Sequence, residues 1–188
     1  MAAGSASRFG SSKQLAELDG TPLVQRALDI AAAACDRQTA LVVGHNWEAV
    51  IAVCDPLPDF FVCNDDYGVG FGTSIAQAVR SLQHVAHAII VLLADQPLIT
   101  AEHLRALQTA WSGAENEIVA TAYAGTTGTP VLFPRACFKD LAILDGDVGA
   151  RQLLSDRRFH VKTIAFEPAA ADVDTPEDLR RISRNARS

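Results

Sequence analysis

Leu23, Ala27, Ile30 and Ala31 recur at helical spacing behind "TP" at 21–22, which predicts a helix over about 22–35 with Thr21 as its cap and Pro22 at its first position. "TALVVG" at 39–44 is a short β-rich run closed by glycine. A helical stretch through Trp47, Val50 and Ile51 follows, and then "FFVC" at 60–63. Thr73 or Ser74 is placed to cap a helix reaching about Leu82. "AIIVLLAD" at 88–95 is apolar on both faces, as a covered parallel strand should be, and it ends in a carboxylate. Thr100 caps a helix to about Trp111, and "EIVATA", "TPVLF" and "HVKTIAF" read as three more strands. "DTPEDLRRI" marks a last helix, with Thr175 as cap, Pro176 at the first position and Asp178 three residues after the cap. Strands alternating with helices predict an α/β domain with a mostly parallel sheet.

Composition narrows the partners. A chain of 188 residues, 49% hydrophobic, suits one domain spanning 1–188. A formal charge of −6 argues against nucleic acid as a partner, so an anionic ligand must meet a local cluster of cations. "AIIVLL" is far short of a membrane span, and "MAAGSASRFG" has no apolar core of a secretory signal. Cys35, Cys54, Cys63 and Cys137 follow neither a metal-ligand nor a disulfide spacing. Four reduced thiols in a cytoplasmic protein without a membrane partner is the expectation.

Two stretches carry candidate chemistry. In "AAGSASRFGSSK", Gly4 and Gly10 permit close backbone approach to an anion while Arg8 and Lys13 add positive charge; the same composition also suits a flexible tail. Asp95 follows the longest apolar strand, where a carboxylate can share a magnesium ion with phosphates, or serve as a turn residue before Pro97. The five histidines fall in no motif, and no Ser-His-Asp or Cys-His arrangement is apparent.

"AAGSASRFGSSKQLAELDGTPLVQRAL", "NDDYGVGFGTSIAQAV", "LLADQPLIT", "GTPVLF", "LDGDVGARQLL" and "DVDTPEDL" follow one another as in the molybdenum cofactor nucleotidyltransferases. The chain most resembles the cytidylyltransferase branch, over nearly its whole length. That resemblance implies a three-layer, Rossmann-like nucleotidyltransferase fold. It also implies that the first strand is missing, so that a short apolar strand should precede Met1. The first motif would wrap a triphosphate through Gly4, Arg8 and Lys13, with Asp95 on Mg²⁺ as the remaining catalytic group. Ala3, in the alanine-glycine form of enzymes that use CTP, favours cytosine over guanine. Gly72 and Ser74 match a loop near the nucleotide, although a glycine loop before a helix is equally a turn.

"GDVGAR" resembles a segment on the pterin side of the cleft, placing Asp147 and Arg151 against the acceptor; alone, it reads as a helix cap with a surface arginine. Asp174 matches a second carboxylate near the metal, in a segment that also works as a cap. The implied reaction is transfer of CMP from CTP to the phosphate of molybdopterin, with a molybdenum enzyme receiving the product. Three alternatives are a nucleotidyltransferase for another phosphorylated metabolite, a nicotinamide-dependent oxidoreductase like the nicotine blue reductases, and a non-catalytic carrier of the cofactor.

Overall fold

The computed structural model describes residues 1–3, 9, 12–36, 38–146 and 150–185. The turn Lys13–Leu15 leads into β1 (Glu17–Leu18) and β2 (Thr21–Pro22), an antiparallel hairpin around Asp19 and Gly20, both at positive φ. Asp-Gly is the dipeptide that a tight two-residue hairpin demands. Thr21 is therefore a strand residue and not the expected cap. Helix α1 (Leu23–Ala34) starts instead with the Leu23 N–H bonded to the Ala16 carbonyl at 2.9 Å. β3 (Ala40–Val43), α2 (Trp47–Ala52), β4 (Phe60–Cys63), α3 (Phe71–Leu82) and β5 (Ala88–Val91) follow in the predicted order.

The second half holds α4 (Ala101–Ala110), β6 (Glu117–Tyr123), β7 (Thr126–Pro134), α5 (Phe138–Leu141), β8 (His160–Ala165) and α6 (Pro176–Asn185). Thr100 caps α4 as expected, its hydroxyl accepting the His103 N–H at 3.2 Å. At α6, Thr175 and Asp178 satisfy one another. The Asp178 carboxylate accepts the Thr175 N–H, and the Asp178 N–H reaches the Thr175 hydroxyl.

β3 and β4 pair in parallel, as do β6 and β8, while the larger sheet runs β5-β7-β6-β8. β7 runs antiparallel to both its neighbours; to β6 it must, because only Ala124 and Gly125 separate them and so short a connection joins only antiparallel strands. Ala2 makes a parallel bridge to Val43, and the Ala94 N–H donates to the Met1 carbonyl at 3.2 Å, so Met1–Ala3 lies between β3 and the segment that leaves β5. The ladder of β5 ends at Val91, earlier than the sequence pattern suggests, and Asp95 stands beyond it.

Alternate residues of the strands face opposite layers. Ile118, Ala120, Val131 and Phe133 pack with Ile75, Val79 and Leu141 from α3 and α5. Val119 and Leu132 pack with Leu104 and Leu107 of α4 and, at the edge, with α1. This is the expected three-layer, Rossmann-like arrangement. Among the described residues no helix is long and apolar enough to cross a membrane.

His103, on α4, is buried against β6: its Nε2 lies 2.8 Å from the Thr121 hydroxyl and its ring stacks on Phe166 at 4.2 Å. Burial pushes its pKa below the usual histidine value. A base held neutral in the fold contributes stability above its unfolded pKa, and that stability is lost as acid drives the unfolded chain to bind the extra proton. Melting temperature should therefore fall as pH drops below about 6.5, and fall less steeply in His103→Gln. Equal slopes in the two proteins would remove His103 as the cause.

Candidate active site

Three chain segments far apart in sequence meet beyond the carboxyl ends of the strands, the usual place for a ligand in an open α/β sheet. The loop after β5 brings Asp95. The segment before α6 is clamped to it by a hydrogen bond from the Val173 N–H to the Asp95 carbonyl at 2.9 Å, with Val173 fully buried. That clamp presents Asp174. From the amino-terminal segment comes Lys13, whose Nζ donates to Asp95 Oδ2 at 2.7 Å and to Asp174 Oδ1 at 3.0 Å.

Burial alone would lower the Lys13 pKa, but the charges and hydrogen bonds of Asp95 and Asp174 outweigh it and raise the value, so the ammonium stays charged. Asp172 is one residue that reading the sequence missed. Its pKa is pushed up to about 6, first by burial and then by the charges of Asp95 and Asp174. The signal was present in "DVD", since residues two apart in an extended segment share a side when the one between them is buried.

The cluster borders a cavity of about 170 Å³ lined by Ala2, Ala3, Lys13, Phe71, Ser74 and Asp95 among others. Ala3 and Ser74 are both buried in its wall. Ser74 is held by Asn64, whose Nδ2 donates to its hydroxyl at 2.8 Å and to that of Thr73 at 2.9 Å, while Asn64 Oδ1 accepts the Asp66 N–H. Asn64, the first residue of the loop motif, was not singled out in the sequence.

Neither Thr73 nor Ser74 caps α3. Gly70 takes that position at φ 149°, ψ 171°, a conformation essentially reserved to glycine, and Thr73 lies inside the first turn. The Gly72 N–H donates to the Gly146 carbonyl at 2.9 Å, tying the loop to the start of "GDVGAR". Arg151 is exposed and donates to the Thr126 hydroxyl at the tip of the β6–β7 hairpin, at 2.5 Å. Gly4, Arg8 and Asp147 lie outside the described residues. The amino-terminal segment is steadied on its other side by Asn46, whose Nδ2 donates to the Ser12 hydroxyl at 3.0 Å.

Asp95 Oδ1 is buried with no hydrogen-bond partner among the described residues. An orphaned carboxylate oxygen beside a second carboxylate fits a hard divalent cation, which favours oxygen ligands. Among the described residues no three acidic, histidine or cysteine side chains form a ready-made metal cage. The arrangement therefore suits an ion held by one or two carboxylates and completed by phosphate oxygens.

The model of the MobA-like NTP transferase domain matches residues 1–162. The chain belongs to that family. A crystal structure of the Rv0371c homologue from Mycobacterium sp. strain JC1 superposes with a TM-score of 0.85 at 32% identity, covering 98% of this chain and 92% of that one. Rv0371c of Mycobacterium tuberculosis in complex with manganese is 30% identical, with a TM-score of 0.78 over 95% of this chain and 94% of that one. Among curated relatives, the purine catabolism protein PucB of Bacillus subtilis is 32% identical over 65% of this chain, which spans 60% of the PucB length. The nicotine blue oxidoreductase of Paenarthrobacter nicotinovorans is 28% identical over 97% of this chain and 93% of its own. The family match ends before Asp172 and Asp174.

Proposed function

We propose that this nucleotidyltransferase moves CMP from CTP to the terminal phosphate of a molybdopterin-type acceptor and releases pyrophosphate. The observation that carries the reading is the Lys13 ammonium set between Asp95 and Asp174 at the rim of the cavity lined by Ala3 and Ser74. Asp95 and Asp174 would hold a divalent ion, Mg²⁺ in this reading, and the manganese complex of the Rv0371c relative supports a divalent metal. When bound, the ion supplies charge neutralisation on the triphosphate.

The chain's own groups bind and orient. An acceptor phosphate oxygen attacks the α-phosphorus, the new P–O bond forms as the α–β bridge breaks, and the electron pair leaves with pyrophosphate. Lys13, with Arg8, neutralises the charge that grows on the phosphate oxygens, and the Gly4 segment positions the chain of phosphates. An acceptor phosphate is largely ionised at neutral pH, so no side chain need remove a proton from it. Ala3 borders the base, Ser74 shapes the same wall, and Gly72 follows Phe71, which also lines it. Arg151 meets the acceptor at the hairpin where it donates to Thr126, and Asp147 is assigned to the acceptor with it from the sequence motif.

The test is pyrophosphate release with CTP or GTP and a molybdopterin acceptor, run beside a measurement of reduced nicotinamide consumption with a dye. Pyrophosphate release that requires CTP and the pterin supports the reading; nicotinamide oxidation without pyrophosphate replaces it. Ala3→Gly should lower the ratio of kcat/KM for CTP over GTP, since Ala3 stands in the cavity wall. A ratio equal to that of the parent places base choice elsewhere.

A further inference from the structure

The same ammonium that the proposed reaction directs at phosphates sits, in this structure, on the two carboxylates proposed to hold the metal. Lys13 Nζ is within 3.0 Å of both. Its side chain is 15% exposed beside Asp95 at 26% and Asp174 at 60%, so solvent screens it least on the Asp95 side. A divalent ion that bridges Asp95 and Asp174 must enter the gap the ammonium fills. Two cations on the same oxygens repel strongly where water is scarce. Yet among the described residues Asp95 Oδ1 has no hydrogen-bond partner, so the lysine does not saturate the site as a metal with several coordination positions can.

Resting on the metal reading above, we infer that Lys13 is an internal competitor for the divalent cation: it holds Asp95 and Asp174 until a triphosphate draws the ammonium away, so metal and nucleotide bind cooperatively. A lysine suits this exchange because its compact charge rides on a flexible four-carbon stem and can swing between anions. By linkage, whatever the triphosphate gains from the metal, the metal gains from the triphosphate. The carboxylates stay neutralised before substrate arrives, and the metal is recruited with the nucleotide.

Mn²⁺ binding without nucleotide, followed by loss of the free-ion electron paramagnetic resonance signal, tests this directly. Lys13→Gln should bind Mn²⁺ alone about tenfold or more tightly than the parent, whereas Lys13→Arg, which keeps the charge, should stay near the parent. α,β-Methylene-CTP should tighten Mn²⁺ binding about tenfold in the parent and little in Lys13→Gln. If Lys13→Gln binds Mn²⁺ alone no better than the parent, the competition does not exist. Asp95→Asn in the Lys13→Gln background should remove the Mn²⁺ site; undiminished affinity there overturns the metal assignment along with the competition. The chain has three lysines, so the intact protein offers a second readout. The Lys13 ¹³Cε resonance should shift when Mg²⁺ and the analogue are added together, and a resonance that stays put overturns the exchange even if the variants fail to fold.

Discussion

Asp95→Asn is expected to slow pyrophosphate release by about a hundredfold to a thousandfold at saturating CTP and to abolish the ordinary Mg²⁺ dependence, the scale of losing one anchor of a charge-stabilising ion. The fold should survive. The bond that clamps the segment before α6 uses the Asp95 backbone carbonyl and not the side chain, and asparagine keeps the side chain's size. Among the described residues the carboxylate's hydrogen-bond partner is Lys13, which retains Asp174 in the variant. Circular dichroism with a metal titration of the rate separates the cases: a normal titration and a normal rate would make Asp95 a turn residue before Pro97. The same change at Asp174 should likewise leave the α6 start in place, because it is the backbone N–H of Asp174, 3.3 Å from Asp178 Oδ2, that contributes there.

Lys13→Ala should lower kcat by about tenfold or more, corresponding to about 1.4 kcal/mol or more of transition-state stabilisation. The loss falls on turnover because charge on the transferring phosphate grows as the reaction proceeds. Lys13→Arg should not restore the rate, since a planar forked guanidinium can still pair with the two carboxylates but does not reproduce the compact point charge of the ammonium on the phosphate. Unchanged release at saturating CTP would remove Lys13 from the chemistry. The two lysine experiments pull in opposite directions, with slower turnover but tighter binding of metal alone. A general loss of folding would not produce that pair of results.

Much of the layout is local and was legible along the chain. The order of helices and strands follows from apolar periodicity, because side-chain burial on one face of a helix or both faces of a strand is written in neighbouring residues. The caps at Thr100 and around Thr175 and Asp178 are equally local, each satisfying amide groups within one turn. Thr21 shows the limit of that reading. "TP" before a helical pattern suits a cap, but "DG" two residues earlier makes a hairpin, and the pairing partner decides between them. Similarly, Gly70 rather than Thr73 or Ser74 starts α3: the Thr73 hydroxyl donates back to the Gly70 carbonyl at 2.8 Å, and both hydroxyls accept from Asn64, just after β4.

What the sequence determined for the site was the presence of Lys13, Asp95 and Asp174 near element ends. What only the tertiary structure decided was that they touch. Lys13 is 82 residues from Asp95 and 161 from Asp174, and no local pattern encodes a contact across such separations. The contact exists because Val173 is buried and hydrogen-bonded to the Asp95 backbone, which lines up Asp172 and Asp174 beside the strand-end carboxylate. β7 belongs to the same class: its strand character is in the sequence, while its place between β5 and β6 comes from ladder partners 40 or more residues away in the case of β5. Side-chain chemistry is carried by each residue alone, but the charge balance of Lys13 against three aspartates is a property of segments brought together by packing.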